Sequence, residues 1–187
     1  MILLDPELDP DPASPFTTGK PSPVSASPAK SQNRRLPTAR TLGSFLAKAQ
    51  AAVRLRGQVT VLLTSDKTLR SLNRRFRGKN KPTDVLSFPA DPSAPGAMKI
   101  AGDLAISVPT ARRQSVEQGH PLSTEIKVLI LHGLLHLAGY DHEADAGEME
   151  RRERLLRERL RLPPGLIERA AIQTRKASKP TAKARRP

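Results

Sequence analysis

The chain has no cysteine, no tryptophan and a single tyrosine among its 187 residues. Without cysteine there can be no disulfide, and the usual fourth ligand of a closed structural zinc site is missing. The same absence suits a reducing cytoplasm. Aromatic residues make up only 3%, which leaves little for a base-stacking platform of the kind found in RNA-recognition sheets. No apolar run approaches the roughly 20 residues needed to span a bilayer. The opening Met-Ile-Leu-Leu-Asp-Pro-Glu has no basic stretch before its apolar residues, so it does not read as a secretory signal. Negative charge is scarce as well: 18 Asp and Glu stand against 32 Lys and Arg, a net charge of +14. Such an excess is either a solvated basic surface or the footprint of a polyanion partner, since each cation placed on a phosphate releases a counterion.

Hydrophobic residues are 37% and prolines number 18, a balance that puts part of the chain outside a core. Residues 2–4 form a short apolar run that can be a first strand. Residues 5–37 are rich in Pro, Ser and Ala and show no helical or strand period, so they read as a disordered insertion or linker. From residue 38 the pattern changes. Leu42, Phe45, Leu46, Ala49 and Val53 share one helical face, with Thr38 or Thr41 as cap and Gly57 as stop. Val59 to Leu63 reads as a strand. A helix follows from Ser65, with Leu69, Leu72 and Phe76 facing inward and Gly78 after it. Val85 to Phe88 and Ile100 to Ser107 are two further strands, separated by a proline-rich loop over 91–97. Pro109 begins another helix. His120 falls in a Gly-His-Pro loop, where a solvent-exposed turn residue is expected.

Three of the four histidines fall within residues 132–142, His-Gly-Leu-Leu-His-Leu-Ala-Gly-Tyr-Asp-His. His132 and His136 are one helical turn apart and share a face. Gly139 ends the helix and lets the chain bring His142 back to them. Three imidazoles with one open position are the ligand set of a catalytic zinc. Asp141 or Asp145 could instead close the site. The helix starts at Ser123 or Thr124 and is apolar on nearly all sides, so it is expected to be buried and central. Asp145-Ala-Gly-Glu148 resembles a capping box opening a last helix, with Met149, Leu156 and Leu160 inward and paired Glu and Arg outward. Residues 163–187 form a basic tail, expected to be disordered.

The spacing of the three histidines is that of the metzincin proteases, but Gly133 stands where those enzymes carry their glutamate base. A peptidase reading therefore lacks its base. Five cations crowd residues 74–81. They are either a phosphate grip or a solvated helix end that opposes the helix dipole. Asp103, on a strand, could hold a ligand histidine by its second ring nitrogen or pair with a surface arginine.

The histidine block, His-Gly-x-Leu-His-Leu-x-Gly-Tyr-Asp-His, resembles the hallmark of the YbeY family. Residues 72–89, Leu-Asn-Arg-Arg-Phe-Arg-Gly-Lys-Asn-Lys-Pro-Thr-Asp-Val-Leu-Ser-Phe-Pro, are similar to a second block of that family. Gly-Asp-Leu-x-Ile-Ser, from Gly102, is similar to a third. Phe76 and Asn80 stand where the family commonly has Tyr and Asp. The resemblance implies a zinc-dependent, single-strand-type endoribonuclease of bacteria that hydrolyses RNA phosphodiester bonds. Its single zinc would be held by His132, His136 and His142, and Arg77 would be the catalytic arginine. Its partner would be RNA, ribosomal RNA or the small ribosomal subunit, and its role 16S rRNA maturation and ribosome quality control in the cytoplasm. The alternative is a zinc-stabilised RNA-binding assembly factor that cuts nothing. The expected architecture is one α+β domain over residues 38–162 with 1–4 added as a strand. It would have a mixed, mostly parallel sheet of about four strands with about five helices, and the metal site on a buried central helix.

Overall fold

A computed structural model describes residues 1–6, 8, 36–91, 93 and 100–169. Most of the expected insertion over 5–37 and of the loop over 91–97, and the tail from 170 onward, lie outside the described residues. Four strands form one sheet: β1 (Ile2–Leu4), β2 (Gln58–Thr64), β3 (Val85–Pro89) and β4 (Ile100–Ser107). Their order is β1-β2-β4-β3. β1 and β4 run parallel to β2, and β3 closes one edge antiparallel to β4. Five helices lie wholly within the described residues, α1 (Ala39–Val53), α2 (Asp66–Arg77), α3 (Val108–Glu117), α4 (Leu122–Leu137) and α5 (Glu148–Leu160), and residues 166–169 are helical as well. The mixed, mostly parallel α+β architecture is the expected one.

Strand alternation explains the layers. Val59, Val61 and Leu63 of β2, with Leu104 and Ile106 of β4, point to one face, where they join α1, α4 and α5 in the main core. The opposite residues, Leu86 and Ala105, meet Leu69 of α2 in a second, smaller cluster. α4 is therefore the filling of the molecule, packed on β3 and β4 and flanked by α1, α3 and α5. Its Ile126, Leu129, Ile130, Leu131, Leu134 and Leu135 are all fully buried. A helix surrounded in this way cannot turn or slide without opening voids in a close-packed interior.

Several local expectations are corrected. α1 is capped by Thr38, but it ends on Arg54 in the left-handed region, before Gly57. α4 begins at Leu122 after Pro121, with no side-chain cap. In α2, Leu69 and Asn73 are buried, while Phe76 is 56% exposed and meets Phe88 only edge-on, ring centres 5.2 Å apart. The smaller cluster reaches no further than Leu72 and Phe88, so the last turn of α2 overhangs it. α5 buries Glu153 and Arg157 beside Met149 and Leu156; the outward reading of every Glu and Arg fails there. Residues 163–169 are not a free tail. Leu166 and Ile167 pack on the main core, and Arg157 Nη1 donates to the Pro163 carbonyl at 2.8 Å. His120 is not a solvent-exposed turn residue either: its ring Nε2 lies 3.0 Å from Oε2 of buried Glu125, in ion-pair range. Arg169 Nη1 reaches the other oxygen of Glu125 at 2.7 Å.

Candidate metal centre

The polar stripe of α4 is two residues wide at its C-terminal end: His132, which is buried, and His136, which is half-buried. Their Nε2 atoms are 3.2 Å apart. Two nitrogens bound tetrahedrally to one zinc at 2.0–2.1 Å would be roughly 3.3 Å apart. Tyr140 N–H donates to the Leu135 carbonyl at 3.1 Å and Gly139 N–H to the His136 carbonyl at 3.0 Å, which ties off the helix end. Gly139 itself has φ +90°, a conformation costly for any side-chain-bearing residue. That turn carries His142 back to the other two. One ligand atom from each of the three histidines lies within 4.8 Å of the others.

Two of the three rings have an environment that suits a cation: His132 is oriented by a carboxylate and His136 is held neutral. Glu153 Oε1 lies 3.1 Å from His132 Nδ1. A carboxylate only accepts, so Nδ1 carries the proton and Nε2 keeps its lone pair for the cleft. His136 is pushed down to about 4, first by burial, then by the charges of His132 and His142 and, more weakly, Arg77; Asp141 opposes the shift. It is thus neutral at pH 7. The donor set fits a divalent ion of the zinc type: three imidazoles, one oriented by a buried carboxylate.

The carboxylates considered from the sequence do other work. Asp145 accepts from the N–H groups of Gly147, Glu148 and Met149 at 2.8, 3.1 and 2.8 Å. Burial raises its pKa, but these donors and Arg151 more than offset that, so it stays below the usual carboxylate value. Its cap acts from ahead of Gly147, the residue that actually precedes α5, so the expected capping box is not the one formed. Asp141 Oδ1 accepts from Glu143 N–H at 3.0 Å. Asp103 is exposed and sits on β4 between Gly102 and Leu104, which face α4, so it points to the opposite side of the sheet. Among the described residues no carboxylate joins the three histidines.

Gly133 explains why the metzincin base is missing. A Cβ there would lie 2.7 Å from Leu104 Cδ2 and 3.3 Å from Ser87 Oγ. The position faces the seam between helix and sheet, where a glutamate has no room and no access to the histidines.

His132, His136 and His142 line a cleft of about 650 Å³, and so do Arg77, Lys79 and Lys81. The three histidines and Arg77, singled out by their sequence pattern, are thus brought to one cavity. The loop bearing the lysines is anchored by Asn73, whose Nδ2 donates to the Lys81 carbonyl at 2.8 Å. Leu166 and Ile167 form another part of the wall. Sequence reasoning passed over Asn73, Glu153 and these two apolar residues. A signal existed for Glu153: it lies four residues after Met149 and three before Leu156, on the same buried stripe of α5.

Fold and site define an α+β protein in which three imidazoles that could hold a metal ion line one cleft with Arg77, Lys79 and Lys81 and with the carboxylates Asp84, Asp141 and Glu143. The chain belongs to the YbeY family: the family model described as Endoribonuclease YbeY matches residues 29–161. A protein of Koribacter versatilis named Endoribonuclease YbeY is 53% identical, the match covering 74% of this chain and 88% of that one. One of the same name from Solibacter usitatus is 49% identical over 67% of this chain and 81% of its own. A solution structure of a Thermotoga maritima protein is 23% identical, with TM-score 0.46, covering 80% of this chain and 96% of that one.

Proposed function

We propose that the protein is a zinc-dependent endoribonuclease that hydrolyses RNA phosphodiester bonds. On this reading it acts in the cytoplasm on ribosomal RNA, in maturation and quality control of the small subunit. The observation that carries it is the sharing of one cleft by three imidazole donors and a cationic wall of Arg77, Lys79 and Lys81. The name of the relatives supports RNA as the polyanion, and the net charge of +14 suits one. No helix among the described residues is long and apolar enough to cross a membrane.

His132, His136 and His142 would hold the ion. Zinc bound there supplies Lewis acidity, lowering the pKa of its water and polarising a phosphoryl oxygen. Glu153 keeps His132 in the ligating tautomer. Arg77 places a guanidinium where charge builds up on the scissile phosphate, and its planar fork can grip two phosphate oxygens. Lys79 and Lys81, exposed on the anchored loop, hold the RNA backbone as point charges.

Arg77 separates an enzyme from a factor that only binds. Arg77→Ala should slow single-turnover cleavage of a structured RNA by about 10²–10³ while leaving affinity nearly unchanged, because only interactions stronger in the transition state raise the rate. Lys79→Ala should weaken binding and spare the saturated rate. Zinc content, followed in parallel, should stay at the wild-type level in both. Cleavage by Arg77→Ala at the wild-type saturated rate would remove the catalytic role. No cleavage by pure, zinc-loaded wild type would favour the binding factor.

A further inference from the structure

The segment after α5 folds back along the helix rather than leaving it. Leu162 N–H bonds the Arg157 carbonyl at 2.9 Å. Arg157 is 6% exposed; its guanidinium holds the Pro163 carbonyl and the Glu168 carboxylate. Arg169 donates from Nε to the Pro164 carbonyl at 2.7 Å and from Nη1 to Glu125 at 2.7 Å. The two arginines thus fasten residues 162–169 at both ends, one to α5 and one to α4.

What lies between the fastenings is Gly165, which is buried against Glu153. A Cβ at this position would fall 2.8 Å from Glu153 Oε1, the oxygen that accepts the hydrogen bond from His132 Nδ1. Any side chain here would meet the carboxylate. Glu153 cannot step aside freely, since it is 1% exposed. The next two residues, Leu166 and Ile167, are the cleft wall beside the histidines.

We propose that residues 162–169 are a strap that keeps Glu153 pressed against His132, and that Gly165 is a positioning residue for the metal centre acting through that carboxylate. The strap packs directly on the buried carboxylate and keeps water from it. With water excluded, the Glu153–His132 contact holds the ring in one orientation, and ligand orientation is set before the ion arrives. This inference rests on the metal reading above and is independent of RNA.

The test uses the whole chain and cobalt as the probe, with affinity read by competition and geometry by the visible d–d absorption bands. Gly165→Val should lose about 10–100-fold in cobalt affinity, the usual range for an outer-shell partner, and should shift those bands. Glu153→Gln should lose a similar factor. In the Glu153→Gln background, Gly165→Val should add almost nothing, because both changes act on one contact. A chain ending after Arg169 should bind like wild type, and one ending after Arg161 like Gly165→Val. If the shorter chain does not fold, the point variants decide alone. Cobalt binding by Gly165→Val within about two-fold of wild type, with unchanged bands, overturns the strap. So does full additivity of the two point changes. Failure of wild type to bind cobalt would overturn the metal reading and the strap with it.

Discussion

Burial strips water from His136 and holds its imidazole neutral down to about pH 4. An unfolded chain takes up that proton near pH 6.5. Between these values the unfolded state binds a proton that the folded one refuses, so stability falls as pH drops from about 6.5 to about 4 and is not reduced by this group above 6.5. The metal-free protein should therefore unfold at lower urea at pH 5 than at pH 7, and His136→Gln should flatten the difference. Equal midpoints for the wild type would contradict the burial. Asp66 does not interfere. Burial raises its pKa, but the hydroxyls of Ser107 and Thr110 and the Arg113 guanidinium lower it further, to below 3.8, so its stabilisation is lost only under more acid conditions. At this scale the three histidines are legible in the sequence because metal-ligand spacing is a local pattern. For Glu153 the spacing from Met149 and Leu156 marks a buried position, but a glutamate flanked by arginines in Glu-Arg-Arg-Glu-Arg looks like a solvated helix face, and its role is not legible. Only the tertiary meeting of α4 and α5 shows that its partner is an imidazole 21 residues away.

α4 shows what an element must give up to be central. Its buried sides are aliphatic, and where it comes nearest the sheet only Gly133 fits. Gly133→Ala gains about 1 kcal/mol of helix propensity but overpacks against Leu104, which typically costs about 1–3 kcal/mol. The expected net loss is about 1 kcal/mol, read as a lower urea midpoint with unchanged zinc content. A gain in stability would place the helix further from the sheet than it lies here. The apolar period of α4, the strand alternation and most helix limits are legible in the sequence, because each depends on neighbours within a turn or two. Two features are not. In α2 the spacing of Leu69, Leu72 and Phe76 is a valid helical face, but the small cluster beneath it ends before the last turn, leaving Phe76 out and Asn73 in. In α5 the arginine at 157 pairs with a carbonyl and a carboxylate from the following segment, a partner that no helical period announces.

For the whole molecule, charge and boundaries decide. A domain ending at residue 162 would omit Leu166, Ile167 and Arg169, which join the core, the cleft and Glu125. The reason is physical: the prolines at 163 and 164 end a helix, but they do not prevent the chain from packing again. Residues 170–187 carry six of the 32 Lys and Arg. Removing them should leave the urea midpoint nearly unchanged and make RNA binding less sensitive to salt, since each lost phosphate contact lowers the slope of log affinity against log salt by about 0.7–0.9. An unchanged slope would show that this segment takes no part in binding. The central claim is that the three-imidazole centre performs the cleavage. Its most direct measurement is single-turnover cleavage of a structured RNA as zinc is added stepwise to metal-free protein, with His136→Ala alongside. Cleavage should rise in proportion to zinc and level off at about one ion per chain, while His136→Ala retains almost no metal and stays at background. Cleavage at the loaded wild-type rate by the metal-free protein, or by His136→Ala, would contradict it.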